Sequence, residues 1–187
     1  SGTGFAISNT GHILTNSHVI SGASNITVFI SGESYVASVI REDNRNDLAL
    51  IKINKSTIPV VFRDYSKIRV GESIVVIGFP LANVLAKEPN VTTGNVSALA
   101  GINDDIRFIQ ITAPIQLGNS GGPILDDSGR VIGVAVSKLN ALKAAIVTGD
   151  IPQNVNFAIK SSLAKTFIEM SDINIQSSNI SIKIPVA

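Results

Sequence analysis

The chain has 187 residues, room for one compact unit or two small fused barrels, and its 44% hydrophobic against 16% charged residues suffice for a core. A formal net charge of +1 argues against electrostatic capture of nucleic acid or of an anionic membrane, and no apolar run approaches the roughly 20 residues of a spanning helix. There is no cysteine, so no disulfide holds the fold.

In chain order, residues 1–8 read as strand-like, and Asn9-Thr10-Gly11-His12 reads as a hairpin tip with His12 solvated. The apolar strand after it ends in the polar run Thr15-Asn16-Ser17-His18, where a side chain can point into a cleft. His18 is one of only two histidines, and it reads either as a hydrogen-bonded structural residue or as a general base near neutral pH. Strands are expected at Ile26–Ile30, Tyr35–Arg41 and Leu48–Ile53. Asp47 stands at the mouth of the last of these, where a carboxylate is costly to desolvate without a partner. It reads as a turn cap or as the acceptor for an imidazole N–H. Asp43-x-Arg45-x-Asp47 begins like a calcium loop, but Leu48 and Asn54 occupy the positions that need glycine and glutamate. Further strands are expected at Ser73–Ile77, Ile106–Ile111 and Val131–Val136, with a hairpin turn at Asp126-Asp127-Ser128-Gly129. A helix is expected at Ser161–Met170, docking through Leu163, Phe167, Ile168 and Met170. Many short strands without alternating helices imply an all-β closed barrel or sandwich.

Gly118-Asn119-Ser120-Gly121-Gly122-Pro123 is the most telling segment. It sets one hydroxyl among glycines, so that the amides of Gly118 and Ser120 can converge on one point, with Asn119 between them. Acyl transfer needs that arrangement, a nucleophile beside two N–H donors that receive an oxyanion, and side chains there would block the substrate carbonyl. His18, Asp47 and Ser120 follow one another at 29 and then 73 residues, the chain order of the chymotrypsin-type triad.

Taken together, residues 1–170 resemble the protease domain of the HtrA/Deg family of trypsin-like serine proteases. The resemblance is carried by SGTGFAIS at 1–8, GHILTNSHVI at 11–20, NDLALIKI at 46–53 and VGESIVVIGFP at 70–80. It continues through VTTGNVSAL at 91–99, IQLGNSGGPI at 115–124, GRVIGVAV at 129–136 and NFAI at 156–159. It implies two six-stranded antiparallel β-barrels of the chymotrypsin type with a short C-terminal helix. The first barrel, residues 1–66, would carry His18 and Asp47; the second, 67–170, would carry Ser120; residues 171–187 would be a polar tail. The implied activity is serine endopeptidase: His18 as base, Asp47 as its orienter, Ser120 as nucleophile, and Gly118, Asn119 and Ser120 as the oxyanion loop. No metal or cofactor is called for. Unfolded or flexible polypeptides are the implied substrates, in protein quality control. By the same resemblance the chain would be exported to a bacterial periplasm or cell envelope and could form a homo-trimer. The family pattern normally continues into a PDZ domain, which these residues do not include.

The resemblance also outlines a primary pocket at Ala113, Pro114, Ile115, Leu117, Val136, Ser137, Lys138 and Asn156. With no acid at its base, it favours small or medium apolar residues such as Val, Ala or Leu, and a hydrophobic pocket discriminates weakly. Residues 138–153 read either as a loop that shapes this pocket or as a short helix over Leu139–Ala145. Asn119 stands where digestive proteases have an aspartate that pairs with a new N-terminus, which implies control by loop order or assembly instead. The competing readings are a catalytically silent protease-like binding module and a glutamate-specific endopeptidase using Lys138.

Overall fold

The computed structural model describes residues 1–64, 68–79, 89–137 and 155–178. The expected pocket-shaping segment 138–153, Lys138 included, and residues 65–67, 80–88, 154 and 179–187 lie outside the described residues.

Runs rich in Val, Ile and Phe become strands because branched side chains fit a pleated, half-buried surface. In the first half these are β1 (Phe5–Ala6), β2 (His12–Thr15), a single-turn helix α1 (Ser17–Ile20), β3 (Ile26–Ile30), β4 (Glu33–Asp43) and β5 (Leu48–Ile53). Next come β6 (Phe62–Arg63), β7 (Ser73–Gly78), β8 (Asn90–Ala98), a 3₁₀ turn at Ile102–Asp104 and β9 (Phe108–Ile111). The chain continues with β10 (Pro123–Leu125), β11 (Val131–Val136), β12 (Asn156–Lys160), α2 (Ser161–Glu169) and β13 (Ser177–Ser178).

The first five strands form one sheet in the order β1-β2-β5-β4-β3. The second sheet runs β10-β7-β8-β9-β12-β11, and β10 pairs again with β11, which closes a six-stranded antiparallel barrel. β6 and β13 extend it by parallel pairing beside β11. The resemblance implied two barrels of six strands; the second half closes one, and the first half is a curled sheet of five among the described residues.

Strand alternation sorts the core into three layers. In β5, Ala49, Ile51 and Ile53 face the concave side of the first sheet with Ile13 and Ile20. Leu48 and Leu50 point the opposite way, into a layer shared with Phe62, Val134, Val136, Phe157 and Ile159. This middle layer joins the two halves, which is why β5 is apolar on both faces. Ile74, Val76, Val96, Ile109, Ile111 and Ile124 fill the closed barrel. Helix α2 adds Ala164, Phe167 and Ile168 to the middle layer, the spacing of one helical face. Leu163 packs at the edge of that layer, whereas the expected fourth member, Met170, is 60% exposed because the helix ends at Glu169 and Met170 is its C-cap. Among the described residues no helix is long and apolar enough to cross a membrane.

Candidate active site

Thr15, Asn16 and Ser17, at and just beyond the end of β2, are buried, and each side chain makes a hydrogen bond, with Asn16 Oδ1 left without a donor. Thr15 Oγ1 donates to the Thr3 carbonyl at 2.6 Å, and Asn16 Nδ2 donates to the Asp47 carbonyl at 2.9 Å. The Ser17 hydroxyl bonds to Glu42 at 2.7 Å. These anchors start α1, and the turn of helix sets His18 beside Asp47.

Asp47 is reached through a turn that Asp43 builds. The Asp43 carboxylate accepts the amides of Arg45 and Asn46, each at 3.0 Å, and the Asn46 side chain at 2.6 Å. Burial alone would raise the Asp43 carboxyl, but the hydrogen bonds from Asn46 and Arg45 and the Arg45 charge hold it below its ordinary value. Asp43, at the head of the segment that began like a calcium loop, is a turn cap. Asp47 itself has φ +55°, a left-handed conformation that Asp and Asn tolerate better than most residues. Arg107 reaches over from the second barrel and donates to the Arg45 carbonyl at 3.0 Å and to Asn46 Oδ1 at 3.2 Å. Its guanidinium is held above its ordinary value, chiefly by hydrogen bonds to Asp105.

The Asp47 carboxylate accepts three contacts from His18. Oδ1 takes the His18 backbone amide at 2.9 Å and lies 3.0 Å from Nδ1, while Oδ2 lies 2.8 Å from Nδ1. Both side chains keep about a fifth of their surface in solvent, 22% for His18 and 21% for Asp47. A carboxylate so placed favours the proton on Nδ1 and leaves the Nε2 lone pair free. The second histidine is placed otherwise. His12 lies on the β1–β2 hairpin as expected but is half-buried rather than solvated, with Nδ1 at 2.8 Å from the Ser8 hydroxyl and 3.1 Å from that of Thr10.

Ser120 sits between β9 and β10 and is 2% exposed. Its hydroxyl pairs with the Ser137 hydroxyl and accepts the Ser137 amide at 3.1 Å; it is not bonded to His18 in this structure. The loop around it explains its glycines. Gly121 has φ +84°, and a Cβ there would meet the Thr3 carbonyl oxygen at 2.2 Å and Thr15 Oγ1 at 2.3 Å. A Cβ on Gly122 would meet the Ile77 carbonyl oxygen at 2.3 Å. Gly121 N–H and Ala135 N–H exchange hydrogen bonds with the carbonyls of Ala135 and Gly122, each 2.9 Å, tying the loop to β11. The Asn119 amide donates back to the Gln116 carbonyl at 3.0 Å, a turn that carries Gly118 at φ +102°. Among the described residues the amides of Gly118 and Ser120 donate to no protein acceptor. Asn119 is 1% exposed, and its Oδ1 is buried without a donor against Gly78.

Sequence reasoning missed Thr3, which ties this loop to the first sheet. Its amide donates to the Ser120 carbonyl at 2.8 Å and its hydroxyl to the Gly118 carbonyl at 2.7 Å. The Phe79 amide in turn donates to Thr3 Oγ1 at 2.9 Å. Nothing in the local sequence signals this, because the contact spans 115 residues. Of the residues outlined for the pocket, Ala113 and Val136 are fully buried in the core, and Ile115 packs against the barrel interior. Leu117 is 69% exposed and Pro114 is exposed. Asn156 Nδ2 holds the Ala113 carbonyl at 3.0 Å, and Ser137 holds Ser120.

A family model described as trypsin-like peptidase domain matches residues 2–134. The chain is 51% identical over 172 residues to uncharacterized protein y4bJ of Sinorhizobium fredii, covering 89% of this chain and 26% of that protein. It is 38% identical over 177 residues to a probable periplasmic serine endoprotease DegP-like of Brucella suis, covering 90% and 32%. A serine endoprotease crystal structure from Yersinia pestis matches with a TM-score of 0.74 and 31% identity, over 91% of this chain and 57% of that one. The chain thus spans roughly a quarter to a third of the curated relatives' length.

Proposed function

The chain belongs to the trypsin-like peptidase domain family and, from that premise, we propose that it is a serine endopeptidase of the DegP/HtrA type acting on unfolded or flexible polypeptide. The observation that carries the reading is the His18–Asp47 pair, in which one carboxylate binds both the imidazole Nδ1 and the backbone amide of the same residue. That grip fixes the ring and directs Nε2 away from the carboxylate. Ser120 Oγ would turn from Ser137 toward Nε2, give up its proton as it attacks the peptide carbonyl, and form an acyl-enzyme. His18 would then protonate the leaving amine, and water would repeat the sequence to release the acyl group. The amides of Gly118 and Ser120, which donate to no acceptor among the described residues, would receive the oxyanion, each donor contributing about 3 to 4 kcal/mol to lowering the barrier.

The pocket reading predicts cleavage after Val, Ala or Leu. Peptides that differ only before the scissile bond test it, with Ser120→Ala as the control. Faster cleavage after Val than after Glu or Lys supports it; preferred cleavage after Glu would favour the glutamate-specific reading. A second reading, a silent binding module, is favoured by one observation, the engagement of Ser120 with Ser137 instead of His18. Tight capture of unfolded casein with no turnover would support that reading. Because the DegP-like relatives are named as periplasmic, we place the chain in the cell envelope, with a quality-control role and trimeric assembly as parts of the same proposal.

A further inference from the structure

We propose that Thr3 is a positioning residue for the oxyanion site, acting through its hydroxyl on the Gly118 carbonyl. The proposal rests on reading Ser120 as the nucleophile. Thr3 is 5% exposed and its polar atoms are all engaged. The backbone amide and carbonyl tie it to Ser120 O and Thr15 Oγ1, at 2.8 and 2.6 Å, which any residue could do in part through its main chain. The hydroxyl is different. It accepts the Phe79 amide at 2.9 Å, which leaves its own proton to point at the Gly118 carbonyl 2.7 Å away. That carbonyl belongs to the peptide between Gly118 and Asn119, and the Ser120 carbonyl belongs to the peptide between Ser120 and Gly121. Thr3 therefore holds the two peptide planes that flank the Ser120 amide.

Gly118 needs the hold. At φ +102° it has no Cβ to restrict it, so its peptide planes rotate more freely than those of any other residue type. An oxyanion site works only when its donors already point at the developing charge. A hydroxyl from the segment leading into β1, aimed at a carbonyl in the loop between β9 and β10, makes that orientation depend on how the two halves meet. Kinetics separate a positioning contact from a purely structural tie.

The test compares Thr3→Val, which keeps the shape and removes the hydroxyl, with Thr3→Ser, which keeps the hydroxyl. Losing one oxyanion donor outright costs about 100- to 1000-fold in kcat, so a misaligned donor should cost roughly 10- to 100-fold. Thr3→Val is expected to lower kcat by that factor while KM stays within about threefold of wild type. The rate of fluorophosphonate labelling should fall in parallel, because the phosphonyl oxygen uses the same amides. Thr3→Ser is expected to restore both rates to within about threefold. Should Thr3→Val fail to fold, Thr3→Ala removes the hydroxyl with less bulk and carries the same expectations. A hydroxyl-less variant with wild-type kcat and labelling rate, even with a lowered Tm, overturns the proposal and leaves a structural tie. Ser120→Ala runs beside them: if wild type is not labelled at Ser120, the nucleophile reading fails first and the Thr3 proposal falls with it.

Discussion

Asp47→Asn is the most informative single substitution, because the geometry dictates how the amide must sit. Asn tolerates the left-handed φ of +55° as well as Asp does, so the turn should survive. The His18 backbone amide, 2.9 Å from Oδ1, can only donate, so the Asn oxygen must take that place. The amide nitrogen then occupies the Oδ2 position, 2.8 Å from His18 Nδ1, and donates to it. Nδ1 becomes an acceptor, the ring proton moves to Nε2, and the ring can no longer take the Ser120 proton. In the triad template this tautomer error lowers kcat by about ten-thousandfold, about 5 kcal/mol of barrier. The assay is kcat/KM on a peptide with Val before the scissile bond, alongside circular dichroism and Tm. A folded variant within tenfold of wild type would refute the argument that Asp47 sets the tautomer.

Other outcomes follow from single contacts. Gly121→Ala should lose at least about 2 kcal/mol of stability by denaturant melts, since the positive φ and the overlap with the Thr3 carbonyl both oppose it; an unchanged midpoint would mean the loop relaxes freely. Asn119→Asp puts a second oxygen where Oδ1 already lacks a donor and should cost about 2 kcal/mol or more at neutral pH. That deficit should shrink as pH falls toward about 4, because burial raises the new carboxyl and its protonation relieves the cost; a deficit independent of pH would contradict it. His12 titrates below its ordinary value, first through burial and then through the charge of Lys52. The folded state therefore binds fewer protons than the unfolded chain, so its contribution is present above about pH 6.5 and is lost as pH falls through the lowered folded value. Wild type should lose more stability than His12→Asn between about pH 7 and 5, read from urea midpoints; equal losses would remove His12 from the account.

Much of the fold was legible because short runs of branched apolar residues mark a strand whether one face is covered, as in β3, or both, as in β5 and β11. β3, β5 and β11 have the bounds expected from sequence alone, and the Asp126–Gly129 hairpin closes through Gly129 N–H to the Asp126 carbonyl at 2.9 Å. Expectation and structure part where local signals are short or false. Ile106 reads as the start of a strand, yet it is 77% exposed, because the Asp105 carboxylate takes the Arg107 amide and holds a turn there. The two-residue strands β1, β6 and β13 are too brief for any periodicity. Within the site, residue types and order pointed to His18, Asp47 and Ser120. The partners that orient them, Thr3, Asn16 and Arg107, could not be read, since each acts on residues at least 31 positions away, except for Thr3 on Thr15 and Arg107 on Asp105. Nor does any pattern announce that the Ser120 hydroxyl rests on Ser137.

That last contact also defines the measurement closest to the central claim. Ser120 and Ser137 share a hydrogen bond, so a fluorophosphonate has two candidate hydroxyls within one site. Peptide mass spectrometry of the labelled protein distinguishes them. One adduct is expected, on the peptide containing Ser120, and it is abolished in His18→Ala. An adduct on Ser137, or none on a folded wild-type chain, would contradict it.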